Sequence, residues 1–191
     1  DAVFNEFPKE FLEERGILEL QSRCDSKDTY LTRPDLGRRL SEESAEKLKN
    51  FYKKSPTCVV FAADGLSGTA IEANYDIVIP ALMNGLKAHG IDVGEPFFVR
   101  YGRVAVQDEI SEITGCDVCV CLIGERPGLA TAKSMSAYIT YKGTIGMSEA
   151  RRTVVSNIHN AGTPAAEAGA HIADIVDIML KEKASGTDLK L

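Results

Sequence analysis

Three short polar segments combine glycine with side chains that can orient a ligand: Asp64-Gly-Leu-Ser-Gly-Thr69, Arg100-Tyr-Gly-Arg103 and Gly124-Glu-Arg-Pro-Gly128. Glycine lets a backbone turn tightly and approach a bound molecule, while Asp, Ser, Glu and Arg supply hydrogen bonds. The chemistry this points to is binding. The competing reading is that the glycines only make turns and that Arg103 and Glu125 are surface charges. Reactive motifs are missing. Gly65-Leu-Ser-Gly68 is neither the three-glycine dinucleotide fingerprint nor a P-loop. Cys116-Asp-Val-Cys119 has redox spacing but sits at the start of an apolar segment, whereas a reactive pair uses a helix N-terminus, so these read as core cysteines. Strand alternation would send Cys116 to the face opposite Cys119 and Cys121, and no His is near in sequence, so a zinc site is not expected. His89 precedes a helix-ending glycine and His171 lies in a helical segment, and neither reads as a ligand. No Ser, His and acid surround a nucleophile elbow.

Those segments must be held by a scaffold, and the chain is long enough for one: 191 residues, 44% of them hydrophobic, suffice for a soluble core. With 28 acids against 22 bases the net charge is −6, and the bases are scattered, which argues against a nucleic-acid partner held through phosphates. Its apolar runs, such as Cys58 to Ala63, fall far short of the ~20 residues that span a bilayer. The first residues lack the basic start and apolar core of a signal peptide, and the missing initiator Met suggests removal of upstream residues. Five cysteines, four in or beside apolar segments, argue against a disulfide framework and for a reducing cytosol.

Residues 1–56 read as a helical arm, with no strand pattern, and residues 57–191 as an α/β domain. In the arm, Thr32 can cap and Pro34 start a helix, and Ala45, Leu48, Phe51 and Tyr52 keep helical spacing. Beyond it, Cys58 to Ala63, Phe97 to Arg100 and Asp117 to Ile123 read as buried strands. Between the first two, Thr69 to His89 carries Tyr75, Ile79, Leu82 and Leu86 on one stripe and stops at Gly90, with Pro80 expected to kink it. Val104 to Ile113 bridges the second and third. Strand, helix, strand, helix, strand predicts a Rossmann-like parallel sheet flanked by helices with right-handed crossovers. A last helix begins with Thr163 as cap and Pro164 in its first turn, buries Ile172, Ile175, Val176, Met179 and Leu180, and ends with Lys181 and Lys183 before Gly186. In such a sheet, ligands bind outside the carboxyl ends of the strands, where the three polar segments fall.

Beyond these physical readings, Leu31-Thr-Arg-Pro-Asp-Leu-Gly-Arg-Arg39, Asp64-Gly-Leu-Ser67, Pro96-Phe-Phe-Val-Arg-Tyr-Gly-Arg103, Gly124-Glu-Arg-Pro-Gly-Leu129, Ser156-Asn-Ile-His159 and Ala184-Ser-Gly186 stand in the order and spacing of one family. Over nearly its whole length the chain resembles the light (small) subunits of ethanolamine ammonia-lyase. That resemblance implies a subunit, inactive alone, of an adenosylcobalamin-dependent carbon–nitrogen lyase converting ethanolamine to acetaldehyde and ammonia. It implies a hetero-oligomer with a large subunit that carries the substrate site, and cobalamin bound base-on between the two. It also places the family's cobalamin contacts on Val104, Glu125 and Val154. Relatives can carry Cys at the position of Val154. Base-on binding agrees with the residues themselves: Asn157-Ile-His159-Asn-Ala-Gly162 approaches the Asp-x-His-x-x-Gly pattern of cobalamin proteins that ligate cobalt through histidine, but holds Asn where that pattern needs a carboxylate to raise imidazole basicity. The resemblance further implies a cytoplasmic protein housed in a bacterial microcompartment, with relatives carrying an N-terminal extension.

Two other classes stay open on residues alone: a free-standing α/β module for a nucleotide or flavin, and an assembly scaffold that barely touches the cofactor. A subunit that needs a partner should expose apolar surface. The arm, with Phe4, Phe7, Phe11 and Leu12, is where that surface is expected.

Overall fold

The computed structural model describes residues 6–126 and 133–190. Six strands form one sheet: β1 (Leu18–Gln21), β2 (Cys58–Ala63), β3 (Phe97–Arg100), β4 (Val118–Gly124), β5 (Met135–Tyr141) and β6 (Thr153–Ile158), in the order β1-β3-β2-β4-β5-β6. The first four are mutually parallel, and β5 and β6 add antiparallel. The fold is thus α/β with a mostly parallel sheet, and the expected parallel order holds for its centre. β2 and β4 are buried along their whole length, which is why they read as continuous Val, Phe, Cys and Leu runs.

Around the sheet run α1 (Lys9–Glu14), α2 (Lys27–Thr32), α3 (Pro34–Gly37), α4 (Glu42–Lys49), α5 (Gly68–Ala88), α6 (Val106–Thr114) and α7 (Ala165–Glu182). One face packs α5 and α7 over Val60, Val120 and Ile139, and the other packs α4 and α6 over Phe61, Val99 and Cys121. α5 and α7 approach closely because Gly85 lies against Ala173 and Gly169 against Ala81 and the Val78 carbonyl, contacts with no room for larger side chains. Gly90 and Gly115 take positive φ just beyond α5 and α6. Among the described residues, no helix is long and apolar enough to cross a membrane.

Several expectations need correction. The first 56 residues are not helices and turns alone: β1 pairs with β3 as an edge strand, Leu20 being 1% exposed. Nor do they offer the expected apolar surface, since Phe7 stacks on Phe98 at 4.5 Å, Leu12 is buried and Phe11 is half-buried against the same core. Phe4 lies outside the described residues. Among the described residues, the large exposed apolar side chains are instead Ile77, Ile145 and Val154. Thr32 falls inside α2, and α3 starts at Pro34 with no side-chain cap. Thr163 does not cap α7 either: Pro164 takes the cap position without a side-chain cap, and Thr163 sits one residue earlier in a turn, its N–H bonded to the Asn157 carbonyl.

Candidate functional site

The crevice at the strand ends is built first by the loop after β2. Asp64, 1% exposed, accepts from the Tyr101 N–H at 2.9 Å and faces Lys27 Nζ at 3.1 Å. Lys27 also donates to the Gly65 carbonyl at 2.6 Å, and Ser67 Oγ caps α5 by accepting from the Ala70 N–H. Burial pushes the Asp64 carboxyl up, while Lys27 and the Tyr101 N–H pull it back. The polar groups of this loop are therefore spent within the protein. Arg103 is committed too: its guanidinium lies 4.5 Å from the Tyr30 ring and donates to the Tyr30 carbonyl at 2.6 Å, and its stem packs on Gly37. Folding thus engages both residues, although Arg103 Nε is buried without a hydrogen-bond partner and Asp64 Oδ2 is met only by the Lys27 ion pair.

Val104, Glu125 and Val154 fall differently. Val104 follows Arg103 and packs on the α6-side core just before the first turn of α6. Glu125, half-buried, lies one residue past β4, with its N–H bonded to the Ser134 carbonyl at 3.0 Å. Val154 is 48% exposed on the edge strand β6. Its register partner is Tyr138 of β5, which in turn faces Cys121 of β4. Directly opposed residues of antiparallel strands project to the same side, so Val154 and Tyr138 share the α6 face. Burial and the neighbouring Glu125 carboxylate together push the Tyr138 phenol above its ordinary range. Tyr138 thus stands opposite Val154 and packs on the same core as Val104.

Beneath this face α6 is bolted to the sheet. Gln107 Nε2 donates to the carbonyls of Cys119 and Tyr138, each at 2.7 Å. Arg152, 1% exposed by its side chain, forks onto Asp108 at 2.8 and 2.7 Å and reaches Gln107 Oε1 at 3.1 Å and Glu149 Oε2 at 2.7 Å. Burial raises the Asp108 carboxyl against the pull of Arg152, whereas Arg152 lowers that of exposed Glu149. Beside this network opens a cleft of about 350 Å³ lined by Arg38, Arg39, Ala105, Asp108, Ile145 and Glu149 among others. The cleft is edged by carboxylates and arginines with exposed Ile145 in its lining, and exposed Val154 lies on β6.

The cysteines and histidines behave as packing and turn groups. All five thiols are free and buried. Cys116 packs on the same core as Cys119 and Cys121, contrary to the alternation argument, because β4 begins only at Val118 and left-handed Gly115 precedes Cys116. His159 uses both ring nitrogens, Nδ1 accepting from the Ala161 N–H at 3.2 Å and Nε2 lying 3.0 Å from Asn157 Oδ1. No group of three or more metal-ligating side chains occurs among the described residues. Tyr138, Gln107, Asp108 and Arg152 were not singled out from sequence. The signal for Tyr138 was the alternation of Met135-Ser-Ala-Tyr-Ile-Thr-Tyr141, a half-buried strand pattern.

Comparison with known proteins adds the family. The model for the ethanolamine ammonia-lyase light chain (EutC) matches residues 1–190. The chain is 60% identical over 191 residues to the ethanolamine ammonia-lyase small subunit of Fusobacterium nucleatum, covering 100% of this chain and 65% of that one. It is 58% identical over 191 residues to the small subunit of Clostridium tetani, again covering 100% and 65%. The small subunit of Clostridium perfringens is 51% identical over 190 residues, with 100% and 64% covered. The chain spans about 65% of the length of these curated relatives.

Proposed function

We propose, from the premise that the chain belongs to the ethanolamine ammonia-lyase light-chain family, that it serves as the small subunit of a carbon–nitrogen lyase and offers half of an adenosylcobalamin site to a large subunit. The observation that carries this reading is the α6 side of the sheet, where exposed Val154 faces Tyr138 across the β5–β6 register, Val104 and Tyr138 pack on one core, and Glu125 follows the end of neighbouring β4. A corrin is a broad flat ring with apolar faces and an amide rim. Exposed Val154 suits the ring, and the Glu125 carboxylate suits an amide N–H. A shallow face encloses little of so large a molecule, which is what a site completed by a second chain requires. Val104 and Val154 would offer apolar contact and backbone, and Glu125 would orient the rim. When bound, adenosylcobalamin supplies the radical chemistry for converting ethanolamine to acetaldehyde and ammonia, and this chain supplies binding and orientation. The same membership supports base-on binding, to which His159, with both nitrogens engaged within the chain, offers no competition. It also supports a cytoplasmic location within a microcompartment.

The test is ultraviolet–visible titration of adenosylcobalamin with this chain, with the large subunit, and with both, followed by ethanolamine-dependent acetaldehyde release. Binding and turnover only on mixing support the shared site. Tight binding by this chain alone, or equal turnover by the large subunit alone, overturns it. A scaffold role has one observation in its favour, the internal commitment of Asp64 and Arg103. It is separated by Glu125→Ala, which would then impair assembly and leave cobalamin affinity unchanged.

A further inference from the structure

We propose that Gln107 is a positioning residue of the cobalamin face, its one buried amide fixing the places of Val104 and Val154 relative to each other. The inference rests on the cobalamin reading above and adds a residue to it. Gln107 is 0% exposed, in the first turn of α6, and its hydrogen bonds run toward both valines. Its backbone N–H donates to the Val104 carbonyl at 3.0 Å, which ties the turn carrying Val104 to the helix. Its Nε2 donates to the carbonyls of Cys119 in β4 and Tyr138 in β5, each at 2.7 Å, and Tyr138 is the register partner of Val154. Its Oε1 accepts from Arg152 Nη1 at 3.1 Å, two residues ahead of Val154, and Asp108 grips the same guanidinium. Val154 lies on an edge strand, paired with β5 along one side only, so the Arg152 anchor is a second attachment for it.

The chemistry needed at position 107 is specific. Two carbonyls need two N–H donors and a guanidinium needs an acceptor, all on one group out of reach of water, and a side-chain amide carries that set. A carboxylate lacks the donors, an ammonium lacks the acceptor, and an apolar side chain leaves both carbonyls without this bond. A flat ligand that rests on Val104 and Val154 together gains both contacts when their spacing is set beforehand, because less ordering is then left for binding to supply. Gln107 acts through the two valines and takes no part in the reacting bonds.

The experiment uses the chain in complex with its large subunit and reads affinity by equilibrium dialysis with cyanocobalamin, so it does not depend on turnover. Gln107→Glu keeps the shape and the acceptor for Arg152 but removes both donors, and Gln107→Met removes all three side-chain bonds. Each is expected to weaken binding about tenfold, the scale on which groups that hold a site's contacts in place act. Arg152→Lys, which cannot keep both its fork on Asp108 and its bond to Gln107, should weaken binding in the same direction. Leu82→Ala, buried in α5 across the sheet, is the control for stability alone: it should lower the melting midpoint of the complex and keep affinity within about twofold of wild type. Wild-type affinity in both Gln107 variants, with weak binding by Glu125→Ala and Val154→Asp, overturns the inference and leaves the cobalamin face standing. An affinity loss in Leu82→Ala equal to theirs also overturns it, since the effect would then trace to stability. Should neither Gln107 variant assemble, wild-type affinity in Arg152→Lys overturns it. Silent Glu125→Ala and Val154→Asp remove the face and the inference together.

Discussion

The Lys27 ammonium lies 3.1 Å from Asp64 Oδ2, with the two side chains only 5% and 1% exposed. One comes from the first turn of α2, among the residues that read as an arm, and the other from the loop closing the central strand β2. A buried ion pair ties those two regions together, and Tyr101 completes it by donating its N–H to the other oxygen of Asp64.

Removing one member of such a pair leaves an uncompensated charge in a dry site. Lys27→Met is expected to cost about 3–5 kcal/mol, read as a lower denaturant midpoint with unchanged slope. Adding Asp64→Asn should recover part of the loss. A cost below about 1 kcal/mol would show that water reaches Asp64 and that the pair is not sealed.

Arg152 presents the same logic on the other side of the sheet. Its guanidinium is the partner of Asp108, whose side chain is 4% exposed. Arg152→Ala should destabilise by about 3–5 kcal/mol and loosen the start of α6, since Gln107 loses its partner as well. Hydrogen exchange would report this as faster exchange of amides in α6. Unchanged protection there would refute the bolt.

Glu149 gives a pH test. Arg152 lowers its carboxyl below the ordinary value of 4.5. A carboxyl held low in the folded state stabilises above its unfolded pKa, and that contribution is lost as pH falls through the folded value. Wild type should therefore exceed Glu149→Gln in denaturant midpoint at pH 6 to 7, with the gap closing below about pH 4.5. Because Glu149 is 72% exposed by its side chain, the gap should be small and should shrink with added salt. A gap that persists at pH 3 would assign the effect to packing.

Gly124 ends β4 next to Glu125. A Cβ there would collide with the carbonyl oxygen of Ser67 and lie 2.7 Å from that of Asp64, both backbone atoms. Gly124→Ala should cost about 1–3 kcal/mol and, on the proposed role of Glu125, weaken cobalamin binding by the complex with the large subunit. Retention of both stability and affinity would show that the loop gives way freely.

Among the thiols, Cys116 combines slight exposure, 3%, with hydrogen bonding from Cys119 that draws its thiol below the ordinary range, whereas burial raises those of Cys58 and Cys121. Iodoacetamide at pH 8 should therefore modify the native chain slowly, with Cys116 first. Peptide mapping that finds Cys58 or Cys121 first would contradict this arrangement.

Much of the central fold was legible because its signals are local. Cys58–Ala63 and Phe97–Arg100 emerge with the bounds that their composition suggested, and α5 runs from Gly68 to Ala88 before Gly90, as its apolar stripe requires. β1 was not legible. Leu18-Glu-Leu-Gln21 is a four-residue alternation, too short to announce itself, and it becomes a strand only through hydrogen bonds to β3 about 80 residues away. β5 and β6 were missed because polar residues break up their apolar runs: β5 buries Ser136 and Thr140 among its apolar side chains, and β6 exposes Val154 and Ser156 on one side. Cys116 shows the limit of extrapolating alternation, which stops where the strand stops.

By itself, then, the sequence determined the class of the fold, the position of its main strands and helices, and the family, because apolar periodicity, helix terminators and ordered motifs are written in neighbouring residues. Only the tertiary structure decided that Leu18–Gln21 adds an edge strand to the sheet, that Asp64 is held in a buried ion pair and Arg103 on Tyr30, and that Tyr138 stands opposite Val154. Those relationships depend on strand order, register and burial, which arise when distant segments exclude water together, and no local pattern encodes them.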